Sequence, residues 1–232
     1  QAIFVGYKRS RVKPDDELIK QIPRVKEVVC ALNIPIYEVE GFEADDVIGT
    51  LCRQATEAMV KMVESAEMVK NVSFSSHLNH FNNLNHSVVI LTSDRDLMQL
   101  IDGENMVVKM PARGKKANLS TFQPDNLSDI WNEARFISDW GFEPKLLPDY
   151  KALAGDQSDD IPGVKGIGEK TASRLIKSFG EINNIYLNLD KVKADFGDTV
   201  AKKLIEDQEA AQMSKKLATI DTDVPIKLDW EQ

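Results

Sequence analysis

Residues 87–97 read SVVILTSDRDL, an apolar and mostly β-branched run that ends at two aspartates. A continuous apolar run of this length is typical of a buried strand in a parallel sheet. Asp94 and Asp96 follow the run directly, which places them at the carboxyl edge of an open α/β sheet, where ligands gather. An N-cap role would explain Asp94 but leaves Asp96 without a function.

The segments around this strand alternate between helix and strand patterns. Residues 15–33 have helical spacing with a kink expected at Pro23, and residues 34–40 (IPIYEVE) predict a short strand. A long amphipathic helix is predicted from Ala44, a helix in RDLMQLI (95–101) and a strand in NMVVKM (105–110). This alternation predicts an α/β fold with a mostly parallel sheet.

Two regions and one insertion are expected along the chain. Residues 1–120 carry the α/β pattern, whereas residues 121–232 carry almost only helical patterns. A polar insertion rich in Asn and Ser is predicted at about 65–86 and contains all three histidines, His77, His80 and His86. No cysteine or acid accompanies these irregularly spaced histidines, so the pattern is only weak support for a zinc site.

Charge and hydropathy limit the classes of partner. No apolar run approaches the ~20 residues needed to span a bilayer, so no membrane partner is expected. The formal net charge is -8, but the cations are segregated, with four in residues 8–13 and a net charge of +3 in residues 163–177. Because distribution matters more than the sum, the net charge does not exclude nucleic acid.

Acids also cluster at two other places in the sequence. EGFEADDV (40–47) holds Glu43, Asp45 and Asp46 at a helix start, where they could simply complement the helix dipole. Asp156 and Asp159 are spaced i, i+3 in GDQSDDIPGVKGIGEKTA (155–172). If the acid groups converge, divalent cations with oxygen ligands would remove their repulsion, and two ions about 4 Å apart would suit phosphodiester cleavage.

The second half of that stretch suits a phosphate. Three glycines precede a helix, so the backbone can approach a ligand closely and the first N–H groups of the helix can hold an anion. No aromatic side chain is positioned to stack on bases, which favours grip on a nucleic-acid backbone without sequence readout. A glycine-rich turn alone is a weak signal, but the preceding aspartates make it more specific.

Together these residues resemble the 5′ nuclease family of flap endonucleases and 5′–3′ exonucleases, in the bacterial form that is the amino-terminal domain of DNA polymerase I. The matching blocks occur in family order and span nearly the whole chain. They are GYKRSR (6–11), QIPRVKE (21–27), EGFEADDVIGTL (40–51), LTSDRDLMQLI (91–101), YKALAGDQSDDIPGVKGIGEKTA (150–172) and LATIDTDVPI (217–226).

The resemblance implies a fold and a set of site residues. The fold is a PIN-like, mostly parallel sheet with a helical arch and an appended helical region, which carries a helix–three-turn–helix (helix-hairpin-helix type) DNA-binding motif at about 156–178. The implied ligands of two divalent cations, Mg²⁺ or Mn²⁺, are Glu43, Asp45, Asp46, Asp94, Asp96, Asp156 and Asp159. Asp160 falls where relatives commonly have Asn and is not counted as a ligand.

The resemblance also implies residues that contact DNA. Lys8 and Arg11 are expected at the scissile phosphate as the catalytic cations, with Tyr7 beside the entering base. The residues expected to hold the duplex backbone are Gly163, Lys165, Gly166, Gly168, Lys170, Thr171 and Arg174. In relatives the carbonyls of this turn often hold a monovalent cation, so a K⁺ ion is expected there.

One departure from the family concerns the start of the sequence. Two family aspartates and the first strand lie upstream of the block at Tyr7, and this sequence does not include them. We therefore expect a fragment of a longer protein, which alone could be inactive for lack of ligands. The polar insertion suggests a mitochondrial or plastid protein, with the bacterial cytoplasm as the alternative.

The predicted function is a structure-specific 5′ nuclease that acts as a monomer in replication or repair. It would cleave phosphodiester bonds at the 5′ ends, flaps or branches of DNA with two metal ions. Two alternatives stay open: a non-catalytic DNA-binding module of the same fold, and a PIN-type ribonuclease. The missing aspartates favour the first and the retained acids disfavour it, whereas the GVKGIGEKT turn counts against the second.

Overall fold

The computed structural model describes residues 6–68, 88–103, 105–111 and 130–230. The helices in these ranges are α1 (Asp16–Ala31), α2 (Ala44–Met68), α3 (Glu133–Trp140), α4 (Leu147–Ala154), α5 (Glu169–Phe179), α6 (Ile182–Leu187), α7 (Leu189–Phe196), α8 (Asp198–Glu206) and α9 (Gln208–Ala218). Short 3₁₀ turns span Asp96–Leu100 and Pro144–Leu146. The histidine-containing part of the predicted insertion lies outside the described residues.

The described sheet has three strands in the order β1 (Val88–Leu91), β2 (Met106–Lys109) and β3 (Ile130–Trp131). β1 and β2 are parallel, as predicted, while β2 and β3 are antiparallel. Val107 and Val108 are fully buried. β1 is less enclosed than its apolar sequence suggests, because Val89 and Leu91 are 52% and 60% exposed. The sheet is therefore mixed, with β2 at its centre.

The region at the start of the chain departs most from prediction. α1 begins after Asp15, whose side chain accepts the Glu17 N–H, and runs through Pro23 to Ala31. The strand predicted at 34–40 is wrong: these residues have no strand pairing within the described chain. β-branched composition favours a strand but supplies no partner, and a strand needs a neighbouring backbone to bond.

The second half is helical, as predicted, apart from the short β3. Residues 198–218 form two consecutive helices, α8 and α9. α9 packs along α4 through the small buried residues Ala211, Ser214 and Ala218, which let the two backbones approach. Gly168 and Gly180 bracket α5, whose buried face carries Ala172, Leu175 and Ile176.

One hydrophobic core joins the sheet to the helices. It runs without a break from Ile90 in β1, through Phe136 and Leu153, to Leu204 in α8. The predicted boundary near residue 120 therefore does not divide the core, and a division there stays a prediction. None of the described helices is long and apolar enough to cross a membrane.

Candidate active site

The seven acids predicted as metal ligands come to two clefts that share Asp96. A cleft of about 320 Å³ lies at the start of α2. Its acids from the predicted set are Glu43, Asp45, Asp46, Asp96 and Asp159. A second cleft, of about 880 Å³, is lined by Asp94, Asp96 and Asp156. Asp96 belongs to both because its 3₁₀ turn packs against both α2 and α4.

The clustering of negative charge is visible in the acid–base properties of two aspartates. Burial and the charges of Asp94, Asp96 and Glu43 raise the pKa of Asp45 to about 6, although Lys8 opposes the shift. Burial, together with Asp94 and Asp156, also raises the pKa of Asp96, against the opposing effect of Lys151. A bound divalent cation would relieve this repulsion.

The basic segment, residues 6–13, reaches the first cleft through Lys8 and Arg11. The Lys8 ammonium donates to Glu43 and lies 3.8 Å from an Asp159 oxygen. Arg11 Nη2 donates to Asp159 Oδ1 at 2.6 Å. Tyr7 lines the same cleft, and its ring centroid is 4.8 Å from the Lys8 ammonium. All three residues predicted to act on DNA at the cleavage point therefore lie beside the acids.

Lys151 is a site residue that the sequence reasoning did not single out. It is only 9% exposed, and its ammonium donates to Asp96 and, at 2.6 Å, to Asp156 Oδ2. Burial acts to lower the pKa of Lys151, but the two carboxylates raise it overall. The pKa of Asp156 is lowered by Lys151 and Ser158, although burial opposes this. A lysine on a helix as apolar as α4 was a usable signal, because a buried charge requires a partner.

Asp46 differs from the other acids because both of its carboxylate oxygens bond backbone. Oδ2 accepts the Glu43 N–H at 3.3 Å, and Oδ1 accepts the Asp221 N–H at 2.9 Å. The second bond ties the start of α2 to the segment after α9. This segment packs closely there because Gly49 has no side chain: a Cβ on Gly49 would lie 2.7 Å from Ile220 Cγ2.

The donor set suits hard divalent cations, but the carboxylates are not arranged around one. All the clustered donors are carboxylate oxygens, the ligands that Mg²⁺ and Mn²⁺ prefer. In the described residues no three His, Cys, Asp or Glu side chains are close enough together to hold a metal ion. Lysine ammonium groups lie between the acids instead, Lys8 at Glu43 and Lys151 between Asp96 and Asp156. Cation binding therefore requires these side chains to give way.

The glycine turn, residues 163–168, is held by hydrogen bonds to residues of α8, α9 and the connection between them. The Gly163 N–H donates to the buried Ser214 hydroxyl at 3.0 Å, and the Lys165 N–H donates to Asp207 Oδ2 at 2.7 Å. Lys203 Nζ donates to the Gly166 carbonyl at 2.8 Å. These long-range supports were not predicted.

The turn exposes most of the residues predicted to hold DNA. Lys165, Gly166, Gly168, Lys170 and Arg174 are exposed, and Thr171 is half-buried. Gly163 is buried and has φ +63°, so it shapes the turn from within, and a direct DNA contact through its N–H conflicts with its bond to Ser214. The exposed cations surround the start of α5, where free N–H groups favour anions.

Two family models match the chain. One, described as the 5′-3′ exonuclease N-terminal resolvase-like domain, matches residues 1–66. The other, described as the 5′-3′ exonuclease C-terminal SAM fold, matches residues 142–232. The second agrees with the helical region that contains the glycine turn.

Similar proteins include bacterial DNA polymerases. DNA polymerase I of Caldicellulosiruptor bescii is 39% identical over 228 residues, which cover 98% of this chain and 22% of that protein. DNA polymerase I of Chloroflexus aurantiacus is 36% identical over 229 residues, 99% of this chain and 20% of that protein. The chain thus spans about a fifth of the length of these relatives.

Solved structures share the fold. A zinc-bound T5 5′-exonuclease superposes with a TM-score of 0.60 at 18% identity, covering 95% of this chain and 69% of that one. The bacteriophage T5 D15 flap endonuclease, in a pseudo-enzyme-product complex with DNA and metal ions, gives a TM-score of 0.58 at 18% identity with the same coverage.

Proposed function

Because the chain belongs to the 5′–3′ exonuclease family, we propose that it is the nuclease part of a metal-dependent, structure-specific 5′ nuclease acting on DNA. The observation that carries the proposal is the meeting of acids from three separate parts of the chain in two clefts that share Asp96. In two of these acids, Asp45 and Asp96, burial and the neighbouring carboxylates raise the pKa, which a purely structural placement of the acids does not require.

We propose Mg²⁺ or Mn²⁺ as the cations, held by Glu43, Asp45, Asp94, Asp96, Asp156 and Asp159, with Asp46 supporting the start of α2. When bound, two such ions supply an activated water and neutralise the charge on the phosphate. Lys8 and Arg11, released from Glu43 and Asp159, turn to the phosphate oxygens and stabilise the charge that develops there.

The chain also positions the DNA. The exposed cations Lys165, Lys170 and Arg174 hold the duplex backbone, and Tyr7 packs on the base next to the cut. This arrangement recognises the shape of a 5′ end, flap or branch rather than its sequence. We propose a single copy of the chain per DNA substrate, within a DNA-containing compartment. The relatives named above are bacterial and give no support to a mitochondrial or plastid location.

A potassium ion on the glycine turn does not fit well at Gly166. Its carbonyl already accepts the Lys203 ammonium, and a Cβ at Gly166 would lie 2.6 Å from that nitrogen. A positive charge therefore already occupies this carbonyl. We propose that Lys203 replaces a monovalent cation here.

The test is cleavage of a 5′-flap DNA in Mg²⁺ or Mn²⁺, with an EDTA control. The 232-residue chain is assayed alone and within any longer natural protein that contains it, each beside Asp156→Asn. We expect metal-dependent cleavage at the flap base and a loss of at least about 100-fold in Asp156→Asn, the size of effect that one charged group in such a site can have. Tight flap binding without cleavage by either form would identify a non-catalytic module, and preferential cleavage of RNA would identify a ribonuclease.

A further inference from the structure

Asp160, which drops out of the predicted ligand set, makes a specific contact of its own. Its Oδ2 accepts two hydrogen bonds from Ser10, one from the backbone N–H at 2.7 Å and one from the hydroxyl at 2.8 Å. Asp160 has φ +56°, in the left-handed region that Asp and Asn tolerate best among residues with side chains. Its turn is closed by the paired backbone bonds of Asp156 and Ile161, at 2.9 and 2.8 Å. The carboxylate therefore lies on a loop that paired backbone hydrogen bonds close.

The contacts between the basic segment and the acids fall into two groups. The bonds of Lys8 to Glu43 and of Arg11 to Asp159 use carboxylates that we propose as cation ligands. A divalent cation on these carboxylates would compete with both bonds. Two contacts use no such carboxylate: the Lys8 N–H to the Asp159 carbonyl at 3.0 Å, and the Ser10–Asp160 pair.

Ser10 lies between Lys8 and Arg11 in the sequence, so an anchor at Ser10 fixes both. Lys8 itself has φ +55°, an unfavourable conformation for a residue with a long side chain, which persists only when its surroundings hold it. Once cations have displaced the Lys8 and Arg11 ion pairs, loss of the Ser10 anchor would leave the backbone bond of Lys8 to the Asp159 carbonyl as the main link between residues 6–11 and the 156–161 loop.

We propose that Asp160 is a positioning residue, whose bonds to Ser10 keep Lys8 and Arg11 beside the first acid cleft after cations have displaced their ion pairs. The inference rests on the proposed nuclease function for its consequence in catalysis. The anchoring itself does not depend on that function. Asp160 acts through the basic segment and does not touch the reacting atoms.

The test compares Asp160→Gly with Asp160→Asn in the 232-residue chain. Glycine keeps the left-handed backbone and removes the acceptor, whereas asparagine keeps both the backbone conformation and a side-chain oxygen. Limited trypsin digestion measures the anchoring directly, because release of the basic segment raises the rates at which trypsin cuts after Arg9 and Arg11. In about 10 mM Mg²⁺ we expect Asp160→Gly to be cut about tenfold faster than the wild type, since loss of one or two hydrogen bonds raises the open population by that order.

The controls separate anchoring from catalysis. In EDTA the ion pairs of Lys8 and Arg11 persist, so the increase in trypsin cutting rate caused by Asp160→Gly should shrink to about twofold or less. The Asp160→Asn variant should be cut at the wild-type rate in both conditions. Equal trypsin rates for all three proteins in Mg²⁺ would overturn the proposal, as would an effect of equal size in EDTA.

On a 5′-flap substrate, kcat of Asp160→Gly should fall about tenfold with DNA binding unchanged. A trypsin effect without flap-DNA cleavage by the wild-type chain, either alone or within the longer protein, would refute the nuclease function and leave the anchor intact.

Discussion

Replacement of Lys151 by Met tests whether the acids of the second cleft depend on a built-in cation. The ammonium bonds Asp96 and Asp156, whose side chains are 19% and 17% exposed. Removal of one partner from a fully buried ion pair costs about 3–5 kcal/mol. Because these carboxylates keep some solvent, we expect about 2–3 kcal/mol, or a fall in Tm of about 5–10 °C in EDTA for a chain of this size.

Divalent cations should reverse this loss. A cation that binds the freed carboxylates stabilises the folded protein by mass action, so Mg²⁺ should raise the Tm of Lys151→Met more than that of the wild type. The measurement is thermal unfolding by circular dichroism in EDTA and in millimolar Mg²⁺.

Lys215→Met is the matched control. Lys215 donates to Asp149, which is 2% exposed, at 2.7 Å, and neither residue lines an acid cleft. We expect a comparable loss of Tm without rescue by Mg²⁺. A Lys151→Met variant as stable as the wild type in EDTA, or equal rescue of both variants by Mg²⁺, would show that the acids of the second cleft do not depend on Lys151.

Three further predictions concern single residues. The Asp45→Asn variant should have a higher Tm than the wild type at pH 7 in EDTA, because a carboxylate with a pKa raised to about 6 destabilises the fold while it is charged. This difference in Tm should disappear between pH 6 and pH 4, as Asp45 in the folded wild type gains its proton. Gly163→Ala should lower the free energy of unfolding by about 3 kcal/mol, measured by urea titration, because its Cβ would lie 2.3 Å from a backbone nitrogen at φ +63°. The Lys203→Met variant should bind duplex DNA more strongly in KCl than in tetramethylammonium chloride of equal ionic strength. The wild type and the exposed-lysine control Lys202→Met should bind equally in the two salts. Stronger binding of the wild type in KCl would refute the role of Lys203 at Gly166.

The sequence predicts local features of this chain better than long-range ones. α5 was predictable because its apolar residues recur at helical spacing between two glycines, and β1 because its β-branched run is continuous. The strand expected at 34–40 failed because pairing depends on a second backbone. The acids could be chosen from their positions at element ends, but their shared clefts depend on how α2, the 3₁₀ turn and α4 pack.

The residues that hold the site residues in place could not be predicted from the sequence, because their partners lie far away along the chain. Lys151 lies five residues from one partner and 55 from the other. Ser214 lies 51 residues from the glycine whose N–H it accepts. Asp160 and Ser10 are 150 residues apart. No local pattern encodes such pairs, although each follows from the need of a buried or strained group for a partner.

The acids of the two clefts are proposed to bind the divalent cations that act in catalysis. The most direct measurement is anomalous scattering from crystals of the chain soaked in Mn²⁺, beside Asp96→Asn crystals treated in the same way. We predict Mn²⁺ peaks in both clefts, within about 2.5 Å of carboxylate oxygens, and loss or weakening of both in Asp96→Asn because Asp96 lines both clefts. Clefts without manganese, with Lys8 and Lys151 still bonded to the acids at millimolar Mn²⁺, would contradict the account.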